Sequence, residues 1–99
     1  MTEKIKDILL AHKGKINPIT SAEIASALGF HEDDTHAQTR ALIFECAKKY
    51  ALPVAADNNG YYIITCQKEY DEYVANLDAR IAGIQERKEI ITKNFNAAK

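Results

Sequence analysis

The stretch ITSAEIASALGF, Ile19 to Phe30, decides how this chain is read. Thr20 and Glu23 stand at capping-box spacing: the Thr20 hydroxyl can accept from the Glu23 amide while the Glu23 carboxylate reaches back to the Thr20 amide. Ile19 and Ile24 flank the box at the spacing of a hydrophobic staple. Ile24 and Leu28 share one helical face, and Gly29 is a natural stop. A short, well-capped helix is therefore expected from Thr20 to Leu28.

Upstream, Ile5, Ile8, Leu9 and His12 recur at helical spacing and predict a first helix over 2–13, stopped by Gly14. His12 on that face reads as a satisfied packing residue. Between the helices, KINPIT (15–20) is expected to be extended, because Pro18 disfavours a helix before it. Downstream, FHEDD reads as a turn, and Thr35-His36-Ala37-Gln38 repeats the capping-box pattern at the head of a third helix over 36–51. Thr39, Ile43, Cys46, Ala47 and Tyr50 should form its buried stripe, with Leu42 at the edge.

Pro53 closes that helix. PVAA, DNNG and YYIIT then read as strand, tight turn and strand, with Asn59-Gly60 supplying the positive φ angles of a short hairpin. Alternation places Val54, Tyr62 and Ile64 on one face, or Tyr61 and Ile63 on the other, as the core side. From Gln67 there is no proline and a single glycine, Gly83. Tyr70, Val74, Leu77, Ile81, Ile84, Ile91 and Phe95 fall at alternating four- and three-residue steps, with Lys88 interrupting, which is a heptad seam. Such a helix would run about 43 Å at ~1.5 Å per residue, longer than so small a head can cover. The expected fold is thus mostly α with a small β-hairpin: a winged helix-turn-helix head over 1–66 and a long C-terminal helix over 67–99.

Composition limits the function. Ninety-nine residues fit one domain, and 13 basic against 14 acidic side chains leave a net charge of -1, so phosphate or an anionic membrane is not attracted by global charge. No apolar run is long enough to span a bilayer, and the opening MTEKIKDILL has neither the apolar core nor the cleavage site of a signal peptide. Cys46 and Cys66 form no CxxC pair and read as reduced thiols packed as small hydrophobes, with the cytoplasm as the expected compartment. No zinc spacing, P-loop or GxGxxG is present, and no carboxylate stands in an apolar stretch beside a plausible partner. Neither a catalytic centre, a cofactor, a metal nor a small-molecule substrate is expected.

Four stretches in order also resemble a known family. ITSAEIASALGF resembles the opening of small winged-helix proteins from bacteriophages and mobile elements. RALIFECAKKYALPV resembles their third helix, NNGYYI their wing, and EYDEYVANLDARIAGIQER their C-terminal helix. The resemblance implies a DNA-binding regulator whose third helix enters the major groove. His36, Gln38 and Arg40 would then touch bases or phosphates, and Asn58 and Asn59 the flanking backbone. A dimer would bind a two-fold symmetric site.

The third helix carries the competing reading. Opposite Ile43 lie Ala37, Gln38, Ala41, Phe44, Glu45 and Lys48, so Ala37, Ala41 and Phe44 make an apolar strip. The strip is covered by the C-terminal helix, or binds another protein with Phe44 as anchor, or lies among Gln38, Arg40 and Lys48 on DNA with the alanines touching thymine methyls. The protein-binding alternative includes a phage inhibitor of a host enzyme or defence complex. Glu32-Asp33-Asp34 either complements the following helix dipole, or repels phosphate, or attracts a basic protein surface. Lys13, Lys15, Lys48 and Lys49 read as solvated surface rather than a built basic patch. The seam either folds wholly onto the head, or its first half (Tyr70, Val74, Leu77) closes the head's own core while the rest pairs with a second copy, the homodimer contacts being Leu77, Ile81, Ile84, Lys88, Ile91 and Phe95.

Overall fold

The computed structural model describes residues 1–30 and 37–98. Its elements run α1 (Thr2–Leu10), α2 (Ser21–Ala27), α3 (Ala37–Tyr50), β1 (Val54–Asp57), β2 (Gly60–Ile63) and α4 (Gln67–Ala97). The chain is mostly helical, with one two-stranded antiparallel hairpin and a long C-terminal helix. The acidic turn, the second capping box at Thr35 and the candidate reader His36 lie outside the described residues.

Helix α2 forms as its caps dictate. The Glu23 amide donates to Thr20 Oγ1 at 3.1 Å, and the Thr20 amide donates to Glu23 Oε1 at 3.0 Å. Such a cap contributes about 1 kcal/mol. Ile19 and Ile24 both enter the core, joining Ile5, Leu9, Ile43, Cys46 and Ile63.

Helix α1 ends at Leu10, three residues before the expected boundary. The backbone beyond it is taken by β2: the Ile63 amide donates to the His12 carbonyl at 3.0 Å, and the Gly14 amide donates to the Ile63 carbonyl at 2.8 Å. Residues 15–20 are correspondingly not an extended run. Lys15 and Ile16 form a turn, held where His12 Nδ1 meets the Asn17 carbonyl at 3.1 Å and Asn17 Nδ2 donates to the Ala11 carbonyl at 3.2 Å. Only Ile19 pairs like a strand, exchanging two bonds with Tyr61 at 2.8 and 2.7 Å.

Helix α3 buries Thr39, Ile43 and Cys46, with Leu42, Ala47 and Tyr50 half-buried, as its periodicity requires. It closes through Ala51 at φ 54°, which lets the Leu52 amide donate to the Ala47 carbonyl at 3.0 Å. This is a Schellman ending with alanine where glycine is the commoner occupant.

In the hairpin, the two-residue loop Asn58-Asn59 sets Asp57 opposite Gly60 and Val54 opposite Ile63. Asn59 does not take the positive φ expected of it. Asp57 Oδ1 accepts from the Asn59 amide at 2.8 Å, and the left-handed residue is Gly60 at φ 131°. The register puts Val54 on the face of Tyr61 and Ile63, not with Tyr62 and Ile64. That face meets the core, yet Ala55 and Tyr62 on the other face are buried as well.

Helix α4 runs unbroken through Gly83. Its N-cap, Cys66, makes no side-chain cap bond. Glu69 supplies the anchor instead. Its Oε1 accepts from the Thr65 amide at 2.9 Å, and its Oε2 accepts from the Lys15 amide at 2.9 Å. Lys15 Nζ also reaches Glu72 at 3.2 Å. These bonds fasten the start of α4 to the turn between α1 and α2. Glu69, Tyr73, Val74 and Leu77 are half-buried, and every described residue after Leu77 is exposed. The radius of gyration, 16.8 Å, exceeds the roughly 13 Å of a compact chain this long, because the rod projects from the head.

Two outcomes follow. A Cβ at Gly60 would lie 2.5 Å from the Ile19 carbonyl oxygen. Gly60→Ala should therefore lower unfolding free energy by about 3 kcal/mol in urea titration, through strain and a broken Ile19–Tyr61 bridge. Amide hydrogen bonds hold the Glu69 and Glu23 carboxyls below the ordinary value of 4.5. Lowered carboxyls contribute stability that is present above the unfolded-state value and is lost as pH falls through the folded one. Urea midpoints measured from neutral pH downward should fall below about pH 4.5, and Glu23→Gln/Glu69→Gln should flatten that limb.

Candidate functional site

Burying Thr39, Ile43 and Cys46 turns the opposite side of α3 outward. Ala37, Gln38, Arg40, Ala41, Phe44, Glu45 and Lys48 are all exposed. Phe44 is 65% exposed, so the chain's own C-terminal helix does not cover the apolar strip, and that reading of the strip is corrected. The cause is the tether of Glu69 and Glu72 to Lys15, which fixes α4 on the hairpin side of the head.

Lys48 lies along the strip, its Nζ 4.9 Å from the centre of the Phe44 ring. A cation over an exposed ring gains about 0.5–1 kcal/mol and still presents its charge to solvent. Lys49 is 5.4 Å from the Tyr50 ring, which Lys6 also approaches at 4.7 Å. Lys15 pairs with Glu72, which raises the lysine pKa above its usual value. Lys15 is thus held by a carboxylate on α4, while Lys48 and Lys49 lie along aromatic rings of α3.

Between α3 and β1 runs a groove of about 240 Å³, lined by Arg40, Phe44, Ala47, Val54, Tyr61 and Tyr73 among others. Tyr61 is half-buried there; burial pushes its phenol up, against the pull of Arg40. Asn58 and Asn59 are exposed at the hairpin tip, and the Asp57 carboxylate is turned back onto the Asn59 amide. A second, more polar cleft of about 160 Å³ opens between the hairpin and α4, with Lys15, Asp57, Asn58, Glu72, Tyr73 and Arg80 on its walls. Neither Tyr73 nor Arg80 stood out in the sequence. Lys15 and the hairpin residues that share the cleft with them are distant in sequence, beyond any local pattern.

The structure therefore places Gln38, Arg40, Lys48, Ala37, Ala41 and Phe44 on one exposed face, with Asn58 and Asn59 at the tip of the hairpin whose first strand walls the adjoining groove. The seam residues stand apart on α4. Leu77 is half-buried, while Ile81, Ile84, Lys88, Ile91 and Phe95 are exposed.

The cysteines divide. Cys46 is buried, its Sγ 3.4 Å from the Thr2 carbonyl, and burial raises its thiol pKa. Cys66 is exposed at the start of α4, correcting its reading as a packed residue, because the chain there is leaving the head. Among the described residues no group of three or more His, Cys, Asp or Glu is arranged to hold a metal ion. No described helix is long and apolar enough to cross a membrane.

The division of α3 into an inward and an outward face has a direct check. Ile43→Ala should cost about 3 kcal/mol in denaturant titration. Phe44→Ala should change stability by less than about 1 kcal/mol, the share of its cation–π contact.

A scan against protein-family models finds no match to this chain, and searches of curated proteins and of solved structures find none either.

Proposed function

We propose that residues 1–66 form a winged helix-turn-helix head and that the chain is a non-enzymatic DNA-binding regulator of the kind carried by phages and mobile elements. The observation that carries the reading is the uncovered outer face of α3, with Gln38, Arg40 and Lys48 exposed on it beside the hairpin. The resemblance of four sequence stretches to that group supports it further. Helix α3 enters the major groove. Gln38 and Arg40 carry donors suited to base edges and phosphates, Lys48 adds a charge to the backbone, and Ala37 and Ala41 leave room for thymine methyls. Asn58 and Asn59 contact the flanking phosphates as the tip of the wing. His36, outside the described residues, stands first in this helix's set of readers.

A second reading is favoured by one observation, the 65% exposure of Phe44 at the mouth of an apolar groove. In it the same face is a protein-binding surface, with Phe44 as anchor and Ala37 and Ala41 flush beside it.

Titration onto a random duplex separates the two. On the DNA reading, the dissociation constant at about 50 mM salt lies well below millimolar and weakens steeply toward about 200 mM. Arg40→Ala lowers affinity and reduces the salt slope by about one phosphate contact. No binding at millimolar protein in low salt would overturn the DNA reading and leave the protein-binding one.

A further inference from the structure

The hairpin tip, Asp57-Asn58-Asn59, carries an acid and no cation of its own. The fold brings a cation to it from a distant part of the chain. Arg80 of α4 walls the cleft between the hairpin and α4, together with Asp57, Asn58 and Asn76. Asn76 and Arg80 stand four residues apart on α4 and so share one side of that helix.

The neighbouring charges decide what Arg80 can take. Two carboxylates, Asp57 and Glu72, lie on the same walls. Glu72 is paired with Lys15 at 3.2 Å, and Asp57 Oδ1 accepts from the Asn59 amide at 2.8 Å. On its own helix Arg80 has Asn76 and Leu77 behind it and Gly83 and Ile84 ahead, so no acid stands at the three- and four-residue steps. Among the described residues Arg80 makes no ion pair, and it is exposed. A guanidinium presents its donors as a planar fork that matches phosphate oxygens, and the amides of Asn58 and Asn76 add donors beside it. The cleft also adjoins the outward side of α3, because Ala56 and Tyr73 line both it and the groove that holds Arg40 and Phe44.

We propose that Arg80, with Asn58 and Asn76, forms a phosphate-contacting site at the hairpin tip and supplies the charge that the hairpin itself lacks. Its ligand is the sugar–phosphate backbone of a duplex, held without regard to base sequence. The site rests on the DNA reading of α3 and extends the contact surface from α3 across the hairpin to α4.

The test measures binding of the full chain to random-sequence duplex DNA at several salt concentrations from about 50 to about 200 mM. Arg80→Ala should weaken binding about equally on duplexes of different sequence, and should lower the slope of log affinity against log salt by about 0.9. Arg80→Lys, which keeps the charge, should retain most of that slope. Arg87→Ala is the control: Arg87 is exposed on the same helix, about two turns farther along the rod, and its loss changes net charge equally. It should leave affinity and slope as they are in the parent chain. An unchanged slope in Arg80→Ala, where Arg40→Ala does reduce it, overturns the site and leaves the DNA reading standing. Equal losses from Arg80→Ala and Arg87→Ala also overturn the site, since they report net charge alone. A parent chain that binds no duplex at low salt overturns the DNA reading and the site with it.

Discussion

Strand β2 is hydrogen-bonded along both edges, and the head is organised around that fact. On one side it pairs with β1 through a two-residue loop. On the other it takes Ile19, His12 and Gly14, three residues from the linker between α1 and α2. Each bond contributes about 1 kcal/mol net, but together they fix the positions of elements far apart in the chain. Ile19 precedes the N-cap of α2, so pairing it to Tyr61 sets where α2 begins. Ile64, at the end of β2, donates to the Pro53 carbonyl and sets where the chain leaves α3. Gly60 makes this close approach possible, since its Cα lies where a side chain would strike the Ile19 carbonyl.

With these three helices fixed, the orientation of α3 is no longer free. Its inward stripe must meet Ile5, Leu9 and Ile63, and the opposite face is left to solvent. Helix α4 does not close over that face, because Glu69 accepts from the Lys15 amide and holds the start of α4 to the far turn. A carboxylate receiving two amide hydrogens is a strong local anchor, stronger than the neutral cap that Cys66 fails to provide. The outward face of α3, the groove beside β1 and the projecting rod are all consequences of where β2 and Glu69 hold the chain.

Local signals were well legible in the sequence. The Thr20–Glu23 box formed as written, the α3 stripe was buried in the expected order, and the hairpin and unbroken α4 lay where turn residues and heptad spacing put them. Non-local bonds were not. Gly14 resembled a helix stop, but β2 captures the backbone from His12 onward and ends α1 earlier. Asn59-Gly60 matched a hairpin pair, yet the Asp57 side chain holds Asn59 in an ordinary turn. The core face of the strands was ambiguous because both faces are buried. The anchor Glu69 bonds a residue 54 positions away, and no window of sequence contains that partner. Of the candidate site, Ala37, Gln38, Ala41, Phe44, Glu45 and Lys48 were readable from 100° steps, whereas Arg40 entered through the resemblance alone; the groove that adjoins them needed Tyr61 and Tyr73 to be brought together by the fold.

The central claim is the proposal that the face of α3 left open by the pairing around β2 meets DNA, with Asn58 and Asn59 on the flanking backbone. Amide resonances of the full chain, followed as a short duplex is added at low salt, test it residue by residue. The account predicts shifts concentrated at Gln38, Arg40, Ala41, Phe44, Lys48, Asn58 and Asn59, with Ile5, Ile24 and the far half of α4 unmoved. Shifts confined to α1 or to α4, or a spectrum that the duplex leaves unchanged, would contradict it.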